Sequence, residues 1–312
     1  MATMLTQRTV VLAKVESTYA TDPTPTTSAD AIQCHDVELE LTREPEVRQP
    51  LDVTLSPLTP IMGLGEAKIT IKTPLKNSGT AGTAADWLVL ANACGQATVN
   101  VGATSDTTKP DDTPTTSCTI WVYKDGLAYK IVGCRGNMKM IFEAGKIVML
   151  EFEMMGRYAI PTDVTFPSAV TVDSTKPVPA LSSVFTFGSY AAIIDKLEID
   201  LGNEVVRNDS LNAAYGVESF EIVKRKPVGK MTVNAVLRAT SNADFWAYID
   251  AATTKALSIV IGTSAGNIET VTAPVCVITS IKPASKNGIE VFEIEFDLTR
   301  SSGGDELSIA GT

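Results

Sequence analysis

Alternation of apolar and polar residues dominates the chain. It runs through Val37-Glu38-Leu39-Glu40-Leu41, Lys68-Ile69-Thr70-Ile71-Lys72, Leu150-Glu151-Phe152-Glu153-Met154, Leu197-Glu198-Ile199-Asp200-Leu201 and Phe292-Glu293-Ile294-Glu295-Phe296-Asp297-Leu298. A period of two sends successive side chains to opposite faces, so each segment predicts a strand with one buried face and one wet face. Asn287-Gly288 ahead of the last strand, and Ala144-Gly145 ahead of the strand running to Met154, predict hairpin turns and antiparallel pairing, because Gly and Asn tolerate positive φ. A helical period appears twice. Trp87, Leu88, Ala91 and Cys94 form one stripe, and Phe245, Trp246, Ile249 and Ala252 another, predicting helices over 84–94 and 242–252 that lie across a sheet face.

These segments recur. The strand at Val37–Leu41 matches Leu197–Leu201, and Thr83-Ala84-Ala85-Asp86-Trp87 matches Ser241-Asn242-Ala243-Asp244-Phe245, each reading as a Ser/Thr N-cap, an acid at N3 and then an aromatic. Leu150–Met154 matches Ile294–Leu298. The order strand, strand, helix, hairpin thus occurs twice, which predicts a duplicated unit. The offset drops between the helix and the last strand, so the first copy carries an insertion. Thr104–Ser117, rich in Thr, Ser, Asp and Pro, sits in the right place and reads as an exposed, mobile loop.

Four prolines between residues 160 and 183 predict a linker between the copies. The expected organisation is an N-terminal arm over 1–30, a first domain over 31–159, the linker over 160–183, a second domain over 184–302 and a Gly/Ser-rich tail over 303–312. The length and an apolar content of 44% suffice for two ordinary cores.

Charge and chemistry narrow the function. With 36 acidic against 26 basic residues the net charge is −10, which argues against gripping nucleic acid through its phosphates. Five cysteines without C-x-x-C spacing suggest free thiols in a reducing compartment. The first apolar cluster, Val10–Ala13, is broken by Lys14, so neither an export signal nor a membrane span is expected. Gly262-Thr263-Ser264-Ala265-Gly266 satisfies the G-x-S-x-G pattern of a nucleophile elbow, but the sequence after it reads as strand and the one histidine, His35, lies far upstream. A turn is the better reading. Cys34-His35 has no second cluster to complete a metal site, and Gly229-Lys230 lacks the glycine pattern of a P-loop, so neither cofactor nor metal is expected.

What remains is a regular array of acids: Glu38 and Glu40, Glu151 and Glu153, Glu198 and Asp200, and Glu293, Glu295 and Asp297 each line one face of a predicted strand. A solvent-facing sheet accounts for alternation alone. Acids are nevertheless poor strand formers and repel across neighbouring strands, so a selected surface is the competing reading. The basic run Lys224-Arg225-Lys226 reads either as a solvated edge or as the complement of an acidic neighbouring subunit.

The duplicated strand-strand-helix-hairpin unit, with the charged segment Thr42–Gly65 after the first strand and its shorter counterpart Gly202–Gly216, resembles the tail tube proteins of long-tailed bacteriophages, of the kind with two fused tube domains. The resemblance covers about residues 31–302. It implies a mainly β fold of two tandem β-sandwich or half-barrel domains, one helix in each, with long stacking loops. It also implies a trimeric ring of six quasi-equivalent domains, stacked into a tube in the virion tail, assembled in the host cytoplasm and free of enzymatic activity. Tape-measure and terminator proteins would be partners, and phage DNA would pass without specific binding. The nine acids become candidates for lining the lumen. Arg43, Glu44, Glu46 and Arg48, with Glu204, Arg207 and Asp209 in the second copy and the run Lys224, Arg225 and Lys226, become candidates for inter-ring and inter-subunit contacts. A tail adaptor ring of the same fold is an alternative. Another is a two-domain β adhesin or carbohydrate-binding module, in which Trp121 would stack on sugar, although an aromatic content of 6% disfavours it.

Overall fold

Each alternating segment forms a strand in the computed structural model, which describes residues 4–51 and 53–312. The first half holds β1 (Thr9–Val15), β2 (Ala31–Ile32), β3 (Asp36–Glu46), β4 (Ile61–Pro74), α1 (Leu88–Ala93), β5 (Gln96–Val101), β6 (Ser105–Pro110), β7 (Cys118–Lys124), β8 (Leu127–Glu143) and β9 (Met149–Arg157). After the short β10 (Thr162–Asp163) come β11 (Val184–Phe187), β12 (Ile194–Asp200), β13 (Asn203–Asp209), β14 (Val217–Arg225), β15 (Val228–Asn234), α2 (Phe245–Asp250), β16 (Lys255–Ile261), β17 (Glu269–Lys286), β18 (Ile289–Leu298) and β19 (Ser308–Gly311). The fold is mainly β and antiparallel, with one short α-helix in each half.

The spatial order of the strands shows the duplication directly. In the first half β3, β4, β9, β8, β7 and β1 are successive neighbours. In the second, β12, β15, β18, β17, β16 and β11 repeat that order. The long strands β8 and β17 pass from one layer to the other and shift register as they do so. At the bend of β8, Gly133 has φ +66°, and the Tyr19 hydroxyl stands 2.8 Å from where a Cβ would be. Glycine is therefore required there. The halves then join edge to edge through β8 and β12, so a single eight-stranded sheet runs β3-β4-β9-β8-β12-β15-β18-β17.

One apolar core underlies both halves. It gathers Ile69, Ile71, Phe152 and Met154 beneath the sheet with Val11 and Ile120 of the other layer, and Leu197, Ile199, Phe245 and Phe296 of the second half. The helices are shorter than their stripes predict. Trp87, not Thr83, occupies the N-cap of α1, because its indole is buried and donates to the Lys76 carbonyl at 2.9 Å. In α2 the acid expected at N3 is itself the cap: the Asp244 carboxylate accepts from Ala247 N at 3.0 Å and is held by Arg238. Asn287 and Gly288 both have positive φ, 51° and 82°, as the tightest hairpin turn requires.

Three segments read as loose are structured. The N-terminal arm contains β1, which pairs with β7 along its whole length and buries Val11, Leu12 and Ala13; four apolar residues are too few to show a period. The segment Thr104–Ser117 contains β6, which pairs with β5 and with the C-terminal strand β19 and buries Asp106, Thr108 and Pro110. Its Thr-rich composition suits a strand as well as a loop, and one of its two partners, β19, lies about two hundred residues away. The tail over 303–312 supplies β19 itself, laid between β6 and β17. Residues 160–183 carry only β10, yet Val164, Phe166 and Val170 cover a second small cluster around Leu12 and Tyr123.

Candidate functional site: a charged sheet face with two open edges

Directly opposed residues in a sheet share a face, so the registers decide where each acid points. Glu38 and Glu40 stand opposite Thr70 and Lys68, and Thr70 and Lys72 opposite Glu153 and Glu151. Glu151 is opposite Lys139, Lys139 opposite Asp200, and Ile141 opposite Glu198. Glu198 then faces Lys230, and Lys230, Thr232 and Val228 face Glu295, Glu293 and Asp297. All nine acids lie on one face of the eight-stranded sheet, and the other face is the core.

The expected repulsion between neighbouring acidic strands does not occur. Strands bearing lysines separate them: Lys68 and Lys72 on β4, Lys139 on β8, Lys230 on β15 and Lys282 on β17, with Lys196 on β12. Sequence reasoning overlooked these lysines as a set, although Lys68 and Lys72 lay in plain view in an alternating segment. Lys139 approaches Glu198 at 3.2 Å, Lys230 approaches Glu295 at 2.7 Å, Lys282 approaches Glu293 at 3.5 Å and Lys226 approaches Asp297 at 3.3 Å. Burial alone would push the Glu198 carboxyl up, but hydrogen bonds from Lys196 and Lys139 outweigh it and hold it below the usual range. The Glu295 carboxylate likewise holds Lys230 above its ordinary value. Asp200 accepts from Asn137 Nδ2 at 2.7 Å and from Gly202 N at 2.8 Å. With Asp36, Glu66 and Glu143 also on this face, and Lys286 and Lys226 counted with the other lysines, twelve acids stand against eight lysines and Arg157, so the face carries net negative charge.

Two edges of this sheet are open. Among the described residues β3 pairs with β4 alone, and β17 beyond Cys276 pairs with β18 alone. An unpaired edge is a row of unused backbone donors and acceptors and invites another strand.

At one end of the sheet, the segments named as contact candidates bind chiefly to each other. Arg207 donates to Glu44 at 2.7 Å and to Glu66 at 3.1 Å and pairs with Asp209 at 2.8 Å; the bond to Glu44 is the main reason its guanidinium is held even more firmly protonated than usual. Arg43 donates to the carbonyls of Met62 and Gly63 and lies over the ring of Tyr215, which meets Tyr158 edge to face. The β3–β4 hairpin and the β13–β14 hairpin are thereby fastened together within the chain. Arg225 bonds Glu306 at 2.7 Å and the Asp111 carbonyl at 2.9 Å, anchoring the C-terminal segment. Glu204 faces Lys224 across β13 and β14. Glu46 and Arg48 stay exposed at the root of the loop between β3 and β4, which also exposes Val47, Leu51 and Leu55.

Ser264 lies in the turn between β16 and β17, where Gly262 and Gly266 take positive φ and the chain enters a strand instead of the helix an elbow needs. Trp121 is half-buried, with Lys130 Nζ 3.7 Å above its ring. No helix among the described residues is long and apolar enough to cross a membrane. A search of curated proteins returns no match. The sequence model of the phage tail tube protein family matches residues 6–299, nearly the whole chain, and the chain therefore belongs to that family.

Proposed function

We propose that three copies of this chain close edge to edge into a ring whose bore is the acid-rich face, and that stacked rings form the tail tube through which DNA leaves the virion. Membership of the family makes the chain a structural component of the virion tail that assembles with itself and with other tail proteins. The observation that carries the finer reading is the eight-stranded sheet with nine acids on one face, a core on the other and an open strand at each side. Closing such a sheet on itself removes both edges. Three chains supply six copies of the duplicated unit and twenty-four strands, a pseudo-hexameric barrel. DNA cannot release counterions onto a wall with excess carboxylates, so it slides where a basic wall would hold it. The lysines between the acids balance the sheet without reversing the sign of its field.

The exposed loop between β3 and β4, with Glu46 and Arg48 at its root, is the segment that reaches the next ring. Tape-measure and terminator proteins are the further partners, and assembly in the host cytoplasm follows from the tube being built before release. Electron microscopy of the purified protein at rising concentration tests the reading. Hollow rings or tubes are expected; a monomer that persists at every concentration would refute it.

A further inference from the structure

The joint between the two halves is a template for the joint between two chains. Within the chain, the outer edge of β12 pairs with β8 in the register Leu197↔Phe142, Glu198↔Ile141, Ile199↔Met140 and Asp200↔Lys139. β12 is the second-half counterpart of β3, and β17 that of β8, because each has the same neighbours and the same place in the chain order. The two strands left open are therefore the same two kinds of edge that meet inside the molecule, a β3-type edge and a β8-type edge.

Burial shows that the outer joint is incomplete. Leu197, Ile199 and Leu201 are 0%, 0% and 1% exposed against β8. Their counterparts Val37, Leu39 and Leu41 are only partly buried. On the other side, Met140 is 1% exposed whereas its counterpart Ile281 is partly buried. The same apolar rows await the same cover.

The repeat fixes the register residue by residue. Leu150–Met154 corresponds to Ile294–Leu298. Met140 is opposite Leu150 and Ile281 is opposite Ile294, so Ile281 takes the place of Met140. By the same step Ser280 replaces Lys139, Lys282 replaces Ile141 and Pro283 replaces Phe142. We propose, resting on the ring reading above, that β3 of one chain pairs antiparallel with β17 of a second copy in the register Val37↔Pro283, Glu38↔Lys282, Leu39↔Ile281 and Glu40↔Ser280.

The chemistry of the pairs agrees. Val37 with Pro283 and Leu39 with Ile281 fall on the core face, and Glu38 with Lys282 places opposite charges together on the acid-rich face. Bonds from Ala144 N to the Asp195 carbonyl and from Leu201 N to the Met138 carbonyl show that even-numbered residues of β8 turn their backbone groups to β12. Counterparts Ile281 and Pro283 turn theirs to the open side. Pro283 has no N–H, so the joint between chains has one ladder bond fewer than the joint within the chain, which suits an edge that must stay unpaired until a ring forms.

Glu38 and Lys282 form a non-hydrogen-bonded pair in this register, with Cα atoms about 4.5 Å apart, within reach of a disulfide. The test is oxidative cross-linking of Glu38→Cys/Lys282→Cys in a Cys34→Ser background, since Cys34 is the one native thiol that is not fully buried. Assembled protein is expected to run as covalent dimer and trimer without reductant, while Glu40→Cys/Lys282→Cys, slipped by two residues, stays monomeric. The reverse result in well-formed rings overturns the register and leaves the ring reading standing. A Cys34→Ser parent that never leaves the monomer sinks both. If the cysteine pairs do not assemble, charge reversal decides: Glu38→Lys is expected to slow assembly at least tenfold and Lys282→Glu in the same chain to restore it. A Glu38→Lys protein that assembles like the parent, or a defect that Lys282→Glu deepens, overturns the pairing.

Discussion

Lys139 Nζ lies 3.2 Å from Glu198 Oε2, and the two residues belong to different copies of the repeated unit. Their contact marks the line where the sheet of one half becomes the sheet of the other. Both are partly exposed, so the pair itself is worth only about 0.5–1 kcal/mol. A double-mutant cycle with Lys139→Met and Glu198→Gln, read by urea unfolding, should return a coupling of that size. Additive effects would show that the apolar pairs beneath it, Leu197 with Phe142 and Ile199 with Met140, hold the joint without help from charge.

The N-terminal segment should prove structural. The Glu16 carboxylate, 8% exposed, accepts from Ser117 Oγ at 2.6 Å, Thr119 Oγ1 at 2.6 Å, Gly133 N at 2.7 Å and Ala20 N at 2.7 Å. Glu16→Ala strands four donors at the bend of β8 and should cost about 2–4 kcal/mol in denaturant unfolding. A cost under about 0.5 kcal/mol would mean that water replaces the carboxylate and that residues 1–30 behave as the free arm their composition suggests.

A second buried acid should make stability fall with rising pH. Asp106 and Glu269 flank Gly311 on three adjoining strands, and burial first, then the nearby Asp106, pushes the Glu269 carboxyl up to about 8. Burial raises Asp106 too. A carboxyl whose folded value exceeds its unfolded value near 4.5 binds its proton more tightly in the fold. Its contribution is thus complete below about pH 4.5 and lost as pH rises to about 8, with no further change above. Urea midpoints measured from pH 5 to 9 should decline over that window in the parent and decline less in Glu269→Gln. Parallel curves would rule out Glu269 as the source.

The negative charge of the face proposed to line the bore can be reduced without breaking its ion pairs. Thr70 lies between Glu38 and Glu153, and Ser280 lies opposite Glu295, so a lysine at either position meets an acid. Thr70→Lys/Ser280→Lys should shift stability by no more than about 0.5 kcal/mol and should slow genome release from intact virions several-fold, most at low salt. Unchanged release from well-formed particles would take DNA away from this face.

The strands, their alternation and the duplication were legible because a period of two and a repeat of pattern are local signals. Glu151, Glu198 and Glu293 show their face in any five-residue window. Which strands adjoin which was not legible: the placing of Lys139 between Glu151 and Asp200 depends on a pairing across 61 residues (200 − 139), and this is why the acids looked mutually repulsive. Non-local pairing also hid β1, β6 and β19. β19 is short, β6 is polar and the apolar run of β1 holds only four residues, and each pairs with a strand distant in the chain. The contact candidates came from the resemblance, and a charged loop segment does not tell a partner in another molecule from one in the same chain: Arg207 meets Glu44 within the chain.

Hydrogen exchange resolved to single amides, compared between monomer and assembled protein, addresses the open edges most directly. Backbone groups of Leu39 on β3 and Ile281 on β17 face no strand in the isolated chain. The amides of Leu39 and Ile281 should exchange rapidly in the monomer and become protected by at least a hundredfold on assembly, while Met140 and Ile199, already paired, change little. Assembled particles in which Leu39 and Ile281 exchange as fast as in the monomer would contradict closure of the sheet by partner chains.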